Sequence, residues 1–317
     1  MSELILPNNY LFINMNKFYQ IFLSLVMVIV LTLFSFATEA LALNQDNSKE
    51  LFKLGVAQLE SHQYTEAIEH FTQAIEINPN YTSAYYNRCL AHLHSSDYQH
   101  AITDCNTAIE QNPELFEAYL NRGVAYYNLK LLGAAIADFN YFLAKFPNDY
   151  RAYYDKGLAY FDQKKYQQAI IEYNKALELI PQTNADEIAT IYNNKGITYL
   201  QLKEFNLAVD EFSQAINFNA DDASFYCNRG NALRKLKKYK QAITDYTESI
   251  QRKRYQGVGY LGRGFSYYKI GKHQEAYEDL LQGAEYFRNQ GNIELFHKIL
   301  FLIRVIRQNL TSGSQVV

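Results

Sequence analysis

The residues able to do chemistry come first. Cys89, His92, His94 and Cys105 fall in one stretch and are of the types that bind a transition metal. A shared site needs its ligands on one face, and His92 and His94, two residues apart, cannot share a helix face. The reading is two structural cysteines and no metal, with a disulfide between them left open. Gly257-Val258-Gly259-Tyr260-Leu261-Gly262 matches the glycine pattern that cradles a pyrophosphate. That pattern works only after a strand and at the opening of a helix. Here it opens a helix that follows another helix, so no nucleotide is expected. No Ser/His/Asp order, nucleophile elbow or His-Glu-x-x-His is present, and no catalytic residue, cofactor or intrinsic enzyme activity is expected.

What remains is binding chemistry. The 317 residues are 48% hydrophobic and 20% charged, a globular balance that excludes a disordered chain and a polytopic membrane protein. A net charge of −3 excludes a protein built on generic attraction to nucleic acid. Charge is uneven, however. From Ser48 to Ala118 there are three basic and ten acidic residues, and from Arg229 to Arg254 nine basic and two acidic. Arg234, Lys235, Lys237, Lys238 and Lys240 cluster, with Arg252-Lys253-Arg254 beyond them. The cluster reads as a solvated face or as a surface for an acidic partner or an anionic membrane.

The elements that position these residues follow from spacing. Gly55, Cys89, Gly123, Gly157, Gly196, Gly230 and Gly264 recur at intervals of 34, 34, 34, 39, 34 and 34. The long interval places an insertion near Gln182–Glu187, in the loop after Pro181. Each unit reads as two amphipathic helices with a short turn between them, as at Glu60–Tyr64. Such short helices are marginal alone, so stacking must stabilise them. Two charge columns also appear: Arg88, Arg122, Lys156, Lys195, Arg229 and Arg263 at position 7, and Asp104, Asp138, Glu172, Glu211, Asp245 and Asp279 at position 23. Repeat one lacks both, which favours pairing within each repeat, as structural ion pairs rather than a ligand site.

The units resemble the tetratricopeptide repeat family. Its pattern is a small residue at position 8, Ala at 20, an aromatic at 24, Ala at 27 and Pro at 32. Repeat one has Gly55, Ala67, Phe71, Ala74 and Pro79 there, and repeat four has Gly157, Ala169, Tyr173, Ala176 and Pro181. Cys89, Cys105, Phe142, Ala220, Arg254 and Arg288 depart from it. The resemblance implies an all-α, right-handed solenoid of seven repeats (48–81, 82–115, 116–149, 150–183, 189–222, 223–256 and 257–290) within a domain over 43–290. The aromatic at 24 is expected to fill the space between neighbouring helix pairs. Apolar residues at 295, 299, 302, 306 and 310 then suggest a capping helix over 291–310, followed by a disordered tail over 311–317.

The resemblance also implies a concave surface lined by the first helix of each pair. Position 6 there reads Asn87, Asn121, Asp155, Asn194 and Asn228 in repeats two to six. Asn can bond both N–H and C=O of an extended backbone, similar to the asparagine ladder of superhelical peptide-binding arrays. Tyr86, Leu90, Leu120, Val124, Tyr127, Tyr154, Leu158 and Phe161 flank the column. Tyr in such a groove combines an apolar body with a polar tip, which explains part of the excess of 28 Tyr. The expectation is a non-catalytic scaffold that holds an extended polypeptide segment, with Asp155 preferring a donor or cation. In the alternative, the Asn residues bond within the array and the Tyr residues pack between repeats. A carboxylate clamp is not supported, because Tyr86 and Leu90 stand where it would want Lys and Asn. A second functional reading is a docking or regulatory module for an extracytoplasmic or membrane enzyme.

Residues 1–42 read separately. Ile21–Phe36 is 16 residues without a charge, preceded by Lys17 and followed by Ala40-Leu41-Ala42. That is the order of a secretory signal peptide cleaved after Ala42, with Met15 as an alternative start. An uncleaved anchor over 21–36 is the other reading, although the run is shorter than the roughly 20 residues that span a bilayer. Either way the repeats are expected outside the cytoplasm.

Overall fold

The computed structural model describes residues 9–252 and 256–313. Met1, Lys253, Arg254 and residues 314–317 lie outside the described residues, as do the side chains around the expected cleavage site at Ala42. Among the described residues there are fifteen helices and no strand. The chain divides into two units, Met1–Ala125 and Tyr126–Val317.

In the first unit, α1 (Asn9–Glu60) and α2 (Tyr64–Ile77) form repeat one, and α3 (Thr82–His94) with α4 (Tyr98–Gln111) forms repeat two. Helix α5 (Phe116–Asn128) begins repeat three. The apolar stretch is not separate from the repeats: α1 runs unbroken through it into repeat one. Its described side chains are exposed, among them Leu23, Met27, Leu31 and Phe34. Among the described residues, no helix is long and apolar enough to cross a membrane.

In the second unit, α6 (Leu132–Lys145) ends repeat three, followed by the pairs α7 (Tyr150–Asp162) with α8 (Tyr166–Leu179) and α9 (Ala185–Gln201) with α10 (Phe205–Phe218). Then come α11 (Ala223–Lys235) with α12 (Tyr239–Gln251), and α13 (Gln256–Lys269) with α14 (His273–Asn289). Helix α15 (Ile293–Gly313) covers repeat seven, burying Ile299, Ile303 and Ile306 against Ala276, Leu280 and Ala284. It runs to Gly313, three residues into the stretch expected to be a tail.

The pairs close tightly because small residues face large rings. A Cβ added at Gly157 would lie 2.5 Å from the Tyr173 ring, and one at Gly55 would lie 2.6 Å from Phe71. A methyl at either place forces the ring aside, an overpacking that costs about 1–3 kcal/mol. The position-24 aromatic therefore meets position 8 of its own repeat. It also reaches Ala at position 10 of the next, as Phe71 does with Ala91 and Phe212 with Ala232. Repeat two closes the same positions covalently: Cys89 and Cys105 form a disulfide, with Cα atoms 5.5 Å apart.

The turn inside each pair is also the same. Position 15 is left-handed in all seven repeats, at His62, Ser96, Lys130, Lys164, Lys203, Lys237 and Gly271. In repeat six the Lys237 N–H bonds the Arg234 carbonyl and the Lys238 N–H the Leu233 carbonyl. This is the Schellman closure that satisfies the last carbonyls of a helix. Only repeat seven uses glycine there.

Candidate peptide-binding surface

The charge columns pair within each repeat, as Arg88–Asp104, Lys156–Glu172, Lys195–Glu211, Arg229–Asp245 and Arg263–Asp279. The arginines of these pairs also bond the preceding repeat. Arg88 grips Asp104 with two nitrogens at 2.7 Å and extends Nη1 to Thr72 of repeat one at 2.9 Å. Arg122 likewise reaches Asn106, Arg229 reaches Ser213, and Arg263 reaches Thr247. The acceptors all sit at position 25 of the preceding repeat, so a planar five-donor guanidinium serves two repeats at once. These pairs are largely buried and therefore unlike exposed surface pairs. Tyr85, Tyr119, Tyr192, Tyr226 and Tyr260, all at position 4, lie under the same cations at 5.2–6.0 Å. Part of the Tyr excess is thus a cation–π column beside the ion pairs. Its recurrence at position 4 was visible in the aligned sequence.

The position-6 residues are half-buried on the first helix of each pair. Asn87 donates to the Ser83 carbonyl of its own helix at 2.8 Å. Asn194 donates to the Tyr154 hydroxyl at 2.8 Å, and Asn228 to Asn193 Oδ1 at 2.9 Å. Asn121 is half-buried in the first unit. Among their neighbours, Leu120 is buried and belongs to the core rather than to an open wall. Tyr86, Leu90, Val124, Tyr127, Tyr154, Leu158 and Phe161 are half-buried.

In the second unit, Tyr154 and Asp155 line a cavity of about 290 Å³ with Tyr150, Arg151, Glu187, Thr190 and Ile191. The insertion builds one wall. It extends the first helix of repeat five instead of lengthening the preceding loop: α9 has 17 residues where α7 has 13. The added turn sets Glu187 against the Tyr150 hydroxyl, and Asn184 donates to the same oxygen at 3.2 Å. Asp186 in that turn accepts from Asn219 at 2.7 Å, which fixes the turn on its own repeat.

Asp155 makes no hydrogen bond among the described residues, and Arg151 is engaged by Asp149 at 2.6 Å. Burial pushes the Asp155 carboxyl from 3.8 up to about 7, with Arg151 opposing and Asp149 reinforcing the shift. Burial also pushes the Tyr154 hydroxyl to about 12, so it remains a neutral donor. The cavity thus offers a poorly solvated carboxylate, a second carboxylate at Glu187 and two Tyr rings. Such a set suits a cationic or donor group.

Two other sequence features take structural roles. Gly257, Gly259 and Gly262 lie on α13, packed against Tyr286, Ile250 and Tyr246 respectively. In the basic cluster, Lys235, Lys237, Lys238 and Lys240 are exposed. Arg234 is not free with them, since it stacks on Phe265 at 5.3 Å and reaches the Tyr246 hydroxyl.

Sequence models described as tetratricopeptide repeat match residues 48–81, 96–142, 149–220 and 223–255, together more than half of the chain. No curated protein matches it. Solved structures do. A tetratricopeptide repeat protein from Parabacteroides merdae is 18% identical, over 82% of this chain and 99% of its own, with a TM-score of 0.60. Pseudomonas aeruginosa pilF is 19% identical over 68% of this chain and 96% of its own, with a TM-score of 0.57. MamA from Desulfovibrio magneticus RS-1 is 22% identical over 55% of this chain and 96% of its own, with a TM-score of 0.51. At these identities the likeness is one of fold.

Proposed function

Because this chain belongs to the tetratricopeptide repeat family, we propose that it is a non-catalytic scaffold that binds an extended polypeptide segment along the position-6 face. In the second unit the segment anchors a Lys or Arg side chain in the cavity beside Asp155. The carrying observation is that half-buried carboxylate, which makes no hydrogen bond among the described residues and shares the cavity with Tyr150, Tyr154 and Glu187. Desolvating a charge is costly unless it finds a partner. A cation arriving with the segment supplies that partner. Asn194 and Asn228 spend one N–H each inside the array, which leaves their carbonyl oxygens for backbone N–H groups of the segment.

Export is part of the proposal. The apolar run with its exposed side chains supports it, and so does the Cys89–Cys105 disulfide, a bond that persists mainly in oxidising compartments. The exposed lysines of repeat six offer a second, weaker surface for an acidic partner or an anionic membrane.

The test is binding of short extended peptides, with and without one Arg, to the full chain and to Asp155→Asn. The Arg peptide should bind the parent at least tenfold tighter than its Ala counterpart, and Asp155→Asn should erase the difference. Joint replacement of Asn87, Asn121, Asn194 and Asn228 by Ala should weaken both peptides alike. Equal binding of the Arg and Ala peptides to the parent refutes the anchor. Unchanged binding to the fourfold variant refutes the backbone-directed reading.

A further inference from the structure

The turn between α3 and α4 gathers a side-chain set that peptide binding does not use. His92 at the end of α3, Asp97 at the N-cap of α4 and His100 in its first turn bring three ligand atoms within 4.8 Å of one another. His100 Nδ1 lies 2.8 Å and His92 Nδ1 3.4 Å from Asp97 Oδ2, and the two rings stack with centroids 5.3 Å apart. In a tetrahedral zinc site with bonds near 2.0–2.1 Å, ligand atoms stand about 3.3 Å apart, a value the two distances to Asp97 Oδ2 bracket.

The second observation is independent. His92 Nδ1 is buried and makes no hydrogen bond. Its other nitrogen faces Asp104 at 3.8 Å, and Asp104 is itself gripped by Arg88. A ring protonated toward Asp104 aims the Nδ1 lone pair at the Asp97 carboxylate, an arrangement that a cation between them would satisfy. A carboxylate behind a ligating imidazole is also the usual outer support of such sites. Cys89 and Cys105 are excluded as ligands by their disulfide.

We propose that His92 Nδ1, the Asp97 carboxylate and His100 Nδ1 bind one divalent transition-metal ion of the zinc class, with a fourth position open to water or to a partner's side chain. Two imidazoles and one carboxylate favour such an ion over Mg²⁺ or Ca²⁺, which prefer all-oxygen sets.

The test is titration of the chelator-stripped full chain, disulfide intact, with ZnCl₂ in a calorimeter. One saturable equivalent is expected at this site, with no response to MgCl₂. Asp97→Asn and His100→Ala should each weaken binding at least tenfold, while His94→Ala should leave it unchanged. Asn caps a helix as well as Asp does, and His100 is exposed, so both variants should keep the parent's circular dichroism. The absence of saturable binding overturns the proposal. So does binding that Asp97→Asn and His100→Ala leave at the parent's strength.

Discussion

Repeats six and seven and repeats four and five carry a charge pair at the same two positions and close it in different ways. In repeats six and seven an Arg holds both oxygens of an Asp and also a hydroxyl of the preceding repeat. In repeats four and five a Lys meets one oxygen of a Glu at 2.9 Å, and Glu211 Oε2 is left buried without a hydrogen bond. The guanidinium is a rigid fork and the ammonium a single point, so only the first ties two repeats together. The looser pairs fall in the repeats that also hold the Asp155 cavity and the long α9. The same backbone thus carries one region whose charge pairs also brace neighbouring repeats and one whose charge pairs close within each repeat.

Removing one acid from each region should give the largest effect. Asp245→Ala leaves Arg229 buried without its partner and should cost about 3–5 kcal/mol. Glu211→Ala should cost only about 1–2 kcal/mol, because it removes an unsatisfied oxygen together with the pair and Lys195 has a flexible stem. Urea denaturation of the full chain measures both. Equal losses would dissolve the distinction between the regions.

Repeat two, whose Arg88 also reaches repeat one, adds a covalent bond within itself. Replacing Cys89 and Cys105 together by Ser frees a loop with a sequence separation of 16 and removes the bond across the position that a glycine and a ring fill elsewhere. The loss should be about 3 kcal/mol on a chain-entropy basis, read as a lower urea midpoint for the first unit. A reducing agent should lower the parent's midpoint and leave the double variant unmoved.

The loosely held region has its own sensitivity. The Asp155 carboxyl titrates near 7 when folded and near 3.8 when free, so between those values the native state holds the proton more tightly than the unfolded one. The contribution of this group to stability is therefore full below about pH 4 and is lost as pH rises toward and through 7. Asp155→Asn should leave stability at pH 4 unchanged and raise it at pH 8, by on the order of 2–4 kcal/mol. Thermal denaturation at the two pH values checks this. A variant no more stable than the parent at pH 8 would mean that the carboxylate is well solvated.

The helical pairs, the seven-fold register and the within-repeat pairs were legible because each rests on a residue type recurring at a fixed interval. Gly157 against Tyr173 is one such interval seen in space. The bonds from Arg to position 25 were harder to see, because their acceptors vary among Thr72, Asn106, Ser213 and Thr247 and share only a register. The cavity was half legible. Asp155 stood out as the one acid in an Asn column. Glu187 did not, because it lies in the insertion, where the repeat register supplies no expectation and the added residues were free to be loop or helix. His92 and Asp97 meet only because the turn between the helices folds back, which a helix-face rule applied to His92 and His94 could not reveal.

The smallest effect tests the turns common to both regions. Position 15 is left-handed at Lys164, Lys203 and Lys237, with φ of 60–63°, and at Gly271 with φ 81°. For a residue with a Cβ, that conformation costs roughly 1–2 kcal/mol, and glycine avoids the cost. Against this, glycine loosens the unfolded chain by roughly 0.4–1 kcal/mol. Each Lys→Gly change should therefore stabilise by only a few tenths to about 1 kcal/mol. Because the Schellman bonds are backbone bonds, shown for Lys237 and Lys238 in repeat six, the turn itself should be unchanged. The gain should be alike at Lys164 and Lys203 in the loosely paired repeats and at Lys237 in the braced one, since the strain is local to one residue. The three should also be nearly additive, as sites in separate repeats without shared partners usually are. A gain at Lys237 that exceeded those at Lys164 and Lys203 by more than about 1 kcal/mol would show that bracing between repeats reaches the turns. The difference between the regions would then extend beyond the charge pairs that define it.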